Sequence, residues 1–184
     1  MGQAYLHRVD GRLHPVASEG GHADFAARTN RELELVRTLR DEFGRVEVER
    51  VLSGPGLVNL HRFTHRGAGC PVVDDLAAED APAHVTQGAL PGRCQFCVEA
   101  LRMFVEAYGA EAGNLALRMT ATAGVYVGGG IAPKILPAIR GGRFVDAFRA
   151  KEPMSDLVAT VPVAVILNAE AGLLGAAVHA NDTA

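Results

Sequence analysis

The stretch SEGGHADFA, residues 18–26, brings several hydrogen-bonding side chains close together. Glu19 offers an ionised carboxylate, His22 an imidazole that either accepts or donates, and Asp24 a second carboxylate. The two glycines between Glu19 and His22 allow backbone conformations with positive φ. This pattern is suited to a ligand whose groups both donate and accept hydrogen bonds, although a capped surface turn would show the same residues.

Two later segments carry further candidate residues. VEVERVLSGPGL, residues 46–57, contains Glu47 and Glu49 before a Ser-Gly-Pro-Gly turn. VYVGGGIAPK, residues 125–134, reads as a strand, three glycines and a helix start. Glycines after a buried strand let a flat ligand approach the backbone, and a helix N-terminus favours phosphate oxygens. The run does not fit the dinucleotide fingerprint, and a tight strand-to-helix turn would give the same letters.

Cys94 and Cys97 form a CxxC pair on a helical pattern. A structural zinc site needs four ligands, and the cysteine pair is not expected to have a second CxxC or a His pair at suitable spacing. Redox pairs normally follow a strand at a helix N-terminus, which is not the pattern here. We therefore expect no metal ligands, and we expect both cysteines to be small buried side chains.

Composition limits the broad class of the protein. The 184 residues suit one large domain, 48% of them are hydrophobic, and the net charge is −3. The sequence has no basic stripe for nucleic acid and no apolar run of membrane-spanning length, so neither partner is expected. The N-terminus lacks the apolar segment of a secretory signal, and three cysteines without framework spacing suit a reducing cytoplasm.

The order of elements predicts an α/β layered domain. Asp10-Gly11 predicts a hairpin turn, and residues 91–120 predict a long buried helix with Gly109 and Gly113 at close contacts. VPVAVIL, residues 161–167, is apolar throughout, as in a strand covered on both faces. Residues 64–84 combine Gly, Pro and acidic residues and predict an irregular surface segment.

Five motifs together resemble those of bacterial glucokinases. In order they are EGGHADF, ERVLSGPGL, GNLAL, GGGIAPK and GLLGAA, and they span almost the whole chain. These enzymes belong to the hexokinase, Hsp70 and actin superfamily. The resemblance implies a ribonuclease H-like fold, a mixed sheet with helices on both faces. It also implies that residues 1–184 form the larger C-terminal lobe, with the N-terminal lobe absent.

The resemblance assigns roles to particular residues. Glu19, His22 and Glu49 would bind glucose hydroxyls, since a sugar needs a carboxylate acceptor beside a group that both donates and accepts. Gly128, Gly129, Gly130 and Ile131 would border adenine and ribose. Glu47 is expected to be an ordinary exposed carboxylate. Asp24 is expected to fix its loop through backbone hydrogen bonds.

The implied reaction is transfer of the γ-phosphoryl group of ATP, with Mg²⁺, to the 6-hydroxyl of glucose. The catalytic Asp and the first phosphate loop of the family have no counterpart in the sequence, so no catalytic residue is assigned and the chain alone is expected to be inactive. The expected partners are glucose, ATP, the missing lobe and, because glucokinases often dimerise through the larger lobe, a second copy of the chain. Two alternatives are a non-catalytic sugar-binding or regulatory module and a structural remnant without a ligand.

Overall fold

A computed structural model describes residues 1–183, and Ala184, the last residue of the predicted lobe, lies outside the described residues. The chain is mixed α/β, as predicted. Its strands are β1 (Gln3–Val9), β2 (Arg12–Ser18), β3 (Val125–Val127) and β4 (Val163–Val165). Its helices are α1 (Asn30–Phe43), α2 (Gly54–His65), α3 (Ala81–Ala89), α4 (Gln95–Met119), α5 (Ile131–Lys134), α6 (Leu136–Arg140), α7 (Arg143–Arg149), α8 (Ser155–Ala159) and α9 (Ala171–Thr183).

The predicted hairpin is present at the start of the chain. β1 and β2 pair antiparallel, with Val9 opposite Arg12 across a two-residue turn. Asp10 and Gly11 have φ values of 49° and 80°, as that turn requires. Most of the hairpin side chains are exposed, so it packs on the core mainly through its first residues.

Helix α4 is the centre of the core. It extends over 25 residues and packs against α2, α3 and α7. Phe104 on α4 and Phe144 and Phe148 on α7 are each 1% exposed, so aromatic side chains fill this interface. The prediction of a long buried helix is confirmed. Within residues 1–183, neither this helix nor any other combines the length and low polarity that crossing a membrane requires.

The described residues form two separate two-stranded sheets. β3 and β4 form a parallel pair, with Val125 opposite Val163, separate from the hairpin. The prediction that residues 161–167 are buried on both faces is wrong, because Val163 and Val165 are half-buried and Ala164 is exposed. Only β3 among residues 1–183 pairs with β4, which leaves the other edge of β4 without a neighbouring strand.

Residues 66–80 contain turns and bends between α2 and α3. The predicted irregular segment was longer, because α2 continues to His65 and α3 begins at Ala81. Pro82 lies in the first turn of α3, where a missing backbone N–H is tolerated. Proline here therefore marks a helix start and not a loop.

Candidate functional site

A short backbone pairing brings two distant segments together. The Phe25 amide donates to the Val46 carbonyl and the Val48 amide to the Ala23 carbonyl, each at 2.9 Å. Asp24 and Glu47 are the opposed residues of this antiparallel bridge. The pairing places the EGGH turn beside the segment that carries Glu49, although 27 residues separate His22 from Glu49 in the sequence.

The EGGH turn is a tight 3₁₀ turn, Gly20–His22, pressed against the start of the chain. The His22 amide donates to the Glu19 carbonyl at 2.9 Å. A Cβ atom on Gly21 would lie 2.0 Å from the carbonyl oxygen of Met1, which is too close for any side chain. Glycine at this position therefore lets the turn approach the backbone of Met1 closely.

The three residues predicted to bind a ligand together do lie together. His22 Nε2 is 3.7 Å from Glu49 Oε2 and 3.9 Å from Glu19 Oε2. Their side chains are 52%, 38% and 91% exposed for His22, Glu49 and Glu19, so all three remain open to a ligand. The result is an imidazole nitrogen between two carboxylates from separate segments.

Glu47 has a different place from the one expected. Its side chain is 16% exposed, and Glu47 Oε2 lies 2.9 Å from His22 Nδ1. The hydrogen bond from His22 is the main cause that lowers the pKa of Glu47 below its usual value. The expectation of an exposed carboxylate is therefore wrong. Because Glu47 engages Nδ1, Nε2 is the ring nitrogen that faces Glu19 and Glu49.

Arg45 forms hydrogen bonds to both the EGGHADF segment and Glu47. One of its guanidinium nitrogens, Nη1, donates to the His22 carbonyl at 2.8 Å and to Asp24 Oδ1 at 2.9 Å, and Nη2 donates to Glu47 Oε2 at 3.2 Å. The Asp24 carboxylate thus pairs with Arg45, whereas the sequence predicted backbone hydrogen bonds for it. Arg45 was not among the predicted site residues and Glu47 was expected to be exposed, because both contact His22, which is distant from them in sequence.

The glycine run borders a cavity of about 350 Å³. Gly128, Gly129, Gly130 and Ile131 form one side of it, the chain start Met1–Gln3 another, and α4 a third. The α4 residues that line it are Phe104, Tyr108, Glu111, Ala112 and Leu115. The cavity thus has aromatic and aliphatic walls with few polar groups, which is typical of small-molecule sites.

A buried carboxylate lies at one wall of this cavity. Glu111 is 7% exposed and accepts hydrogen bonds from Gln3 Nε2 at 2.9 Å, Asn114 Nδ2 at 2.8 Å and Arg118 Nη1 at 2.9 Å. These donors compensate the negative charge of Glu111. The network explains the Asn of the GNLAL motif as a structural residue between α4 and its surroundings.

The cavity lies next to the cluster of Glu19, His22 and Glu49. The Met1 amino group lies 2.9 Å from Glu49 Oε1, and Met1 also lines the cavity. Ser53 lines the cavity too, and its hydroxyl donates to the Glu49 carbonyl at 2.8 Å. The same hydroxyl accepts from the Gly56 amide at 2.9 Å and so caps α2. Two ligands bound at these places would therefore lie close to each other.

The sequence model of the glucokinase family matches residues 1–183. The chain belongs to the glucokinase family. It is 39% identical to a Synechocystis glucokinase over 98% of this chain and 56% of that protein. It is 41% identical to a Photorhabdus laumondii glucokinase over 97% of this chain and 54% of that protein. The chain therefore spans about half the length of the curated glucokinases it matches.

Solved glucokinases have the same fold over this region. The crystal structure of a glucokinase from an Antarctic psychrotroph superposes with a TM-score of 0.82 at 34% identity, covering 96% of this chain and 53% of that one. A Balamuthia mandrillaris glucokinase, solved in complex with glucose, gives a TM-score of 0.74 at 16% identity over 88% of this chain and 46% of that one. The second match supports the fold alone.

Proposed function

We propose that the chain is the sugar-binding, larger C-terminal lobe of a bacterial glucokinase, an enzyme that phosphorylates glucose with ATP. The observation that carries the proposal is the convergence of Glu19, His22 and Glu49, with His22 Nε2 within 3.9 Å of both carboxylates. The proposal includes a ribonuclease H-like layered fold and a cytoplasmic location. Its partners are glucose, ATP and a complementary N-terminal lobe, and the family resemblance adds a second copy of the chain.

The three side chains suit a hexose ring. Carboxylates of Glu19 and Glu49 accept hydrogen bonds from sugar hydroxyls. Because His22 Nδ1 donates to Glu47, Nε2 of the neutral ring carries the lone pair and accepts from a third hydroxyl. Each hydrogen bond to an ionised carboxylate contributes about 1.5–3 kcal/mol to binding. A sugar that lacks a matched hydroxyl leaves a polar group unpaired, so the same contacts discriminate against it.

The glycine-lined cavity is the proposed site of the adenosine part of ATP. Gly128, Gly129, Gly130 and Ile131 would lie against adenine and ribose, where the absence of side chains lets a flat ring approach. Glu111, the carboxylate that lines this cavity, is already engaged by three donors. The Mg²⁺ ion of the reaction would therefore be held here mainly by phosphate oxygens and water, and it would offset their charge.

Phosphoryl transfer also needs a base for the 6-hydroxyl proton. No aspartate of the chain lies in a motif typical of that base, so the proposal assigns it to the complementary lobe. What the described residues contribute is the position of the sugar relative to the nucleotide. This division of work makes the two lobes interdependent.

The proposal is tested by assaying the chain with ATP, Mg²⁺ and glucose, alone and mixed with the N-terminal half of the Synechocystis glucokinase. We expect no turnover from the chain alone and measurable glucose 6-phosphate from the mixture. Turnover by the chain alone at ordinary kinase rates, about 1–100 per second, would contradict the assignment of the base to the other lobe. Glucose binding without any turnover in the mixture would favour the non-catalytic module.

Glu47 is expected to act as a positioning residue for His22. In Glu47→Ala, Nδ1 loses its acceptor and the ring is free to rotate, so glucose affinity should fall about three- to tenfold. Glu47→Gln keeps an oxygen acceptor and should recover most of that affinity. Calorimetric titration with glucose measures both variants. Equal losses in the two would contradict a positioning role.

A further inference from the structure

Two histidines and three cysteines, none of them a residue of the proposed sugar site, meet between α2 and the start of α4. His61 and His65 lie one turn apart on α2, Cys70 follows that helix, and Cys94 and Cys97 lie at the start of α4. We call these five residues the His/Cys cluster. His61 is 3% exposed, His65 4% and Cys97 0%. The sequence-based expectation that no His pair has suitable spacing is wrong, because His61 and His65 lie four residues apart on α2 beside the CxxC pair.

The distances within the cluster fit a tetrahedral metal site. One ligand atom each from His61, His65, Cys70 and Cys97 lies within 4.8 Å of all the others. The Sγ atoms of Cys70 and Cys97 are 3.6 Å apart. Tetrahedral zinc with Zn–S bonds of about 2.3 Å places two sulfurs about 3.8 Å apart. The two sulfurs are thus already as far apart as two zinc ligands. Side-chain rotations would bring the ligand atoms of His61 and His65 to the same spacing.

His61 supplies an independent observation. Both of its ring nitrogens are buried and have no hydrogen-bond partner among the described residues. Burying an unpaired imidazole is unfavourable, and buried polar groups in native proteins normally have a partner.

His65 has the hydrogen bond expected of a metal ligand. Its Nδ1 lies 2.8 Å from the His61 carbonyl oxygen, and when it donates to that oxygen Nε2 carries the lone pair. Nε2 lies 3.4 Å from the Sγ atom of Cys94, the cysteine beside the proposed ligands. The ring orientation is therefore fixed by the backbone of α2 before any ion arrives.

We propose that the His/Cys cluster binds one Zn²⁺ ion through His61, His65, Cys70 and Cys97, with Cys94 beside the ligands. On binding, the Cys70 and Cys97 thiols each lose a proton and form a bond to zinc, so two thiolates and two neutral imidazoles balance the charge of the ion. Four protein ligands leave no open position, which makes this a structural site and not a catalytic one. The ion would fasten α2 and residues 66–70 to the start of α4.

The first test is the zinc content of the chain purified without chelators, measured by inductively coupled plasma mass spectrometry. We expect about one zinc per chain, and less than a tenth of that in Cys97→Ser and in His61→Ala. His84→Ala is the matched control, since His84 is half exposed beside Asp80 and outside the cluster, and it should keep its zinc. Zinc-free wild-type chain after dialysis against zinc, or zinc retained in both cluster variants, would overturn the proposal.

A second readout does not depend on the variants folding. Replacing zinc by Co²⁺ in the wild-type chain should give the intense visible bands of tetrahedral cobalt and thiolate-to-cobalt charge transfer. Absence of both bands would overturn the proposal. Thiol alkylation after denaturation should recover all three cysteines. A mass two hydrogens lower, with one free thiol, would instead show that the cluster forms a disulfide.

Discussion

Gly109→Ala is expected to destabilise the fold by about 3 kcal/mol, because α4 and α7 touch at this position. A Cβ atom on residue 109 would lie 2.1 Å from the carbonyl oxygen of Phe144 and 2.8 Å from its carbonyl carbon. Backbone atoms cannot rotate away, so α7 would have to move and would uncover Phe144 and Phe148. Thermal unfolding followed by circular dichroism should show Tm lowered by roughly 6–12 °C.

Gly175→Ala is the matched control for that prediction. Gly175 also lies inside a helix, α9, but nothing lies within 4 Å of the position its Cβ would take. The same substitution there removes backbone entropy from the unfolded chain and should stabilise the protein by about 0.5–1 kcal/mol. Equal Tm values for the two variants would contradict the close contact between α4 and α7.

The parts of the fold that the sequence predicts well are those decided locally. Asp10-Gly11 specifies the hairpin because positive φ at two successive positions suits few residue pairs. Thr29 specifies the start of α1, where its hydroxyl accepts from the Glu32 amide at 3.1 Å. The glycines of α4 predicted a close helix contact, and α7 makes it at both Gly109 and Gly113.

What the sequence did not predict depends on contacts between distant segments. The sequence around Glu47 is typical of an exposed carboxylate. Its contact with His22 Nδ1 arises because the bridge with Asp24 brings the two segments together. His61 and His65 gave only an i, i+4 spacing on a helix, and 29 residues separate His65 from Cys94 in the chain. The exposure of β4 could not be predicted from its own residues either, since a short apolar run occurs both in central strands and in edge strands.

Glu49→Gln is expected to weaken glucose binding by about 10- to 100-fold. Glutamine has nearly the same shape but removes the charge that strengthens the hydrogen bond from a sugar hydroxyl, a difference of about 1.5–3 kcal/mol. The fold should be unaffected, because the Met1 amino group that contacts Glu49 Oε1 at 2.9 Å can still donate to an amide oxygen. Glu79→Gln, at an exposed position in residues 66–80, makes the same chemical change and should leave affinity unchanged.

The measurement that bears most directly on the sugar site is isothermal calorimetry of glucose into the wild-type chain and the Glu49→Gln and Glu79→Gln chains. The convergence of Glu19, His22 and Glu49 predicts saturable binding to wild type and to Glu79→Gln, and the stated loss in Glu49→Gln. A wild-type chain that releases no heat on glucose addition, or three chains of equal affinity, would contradict it.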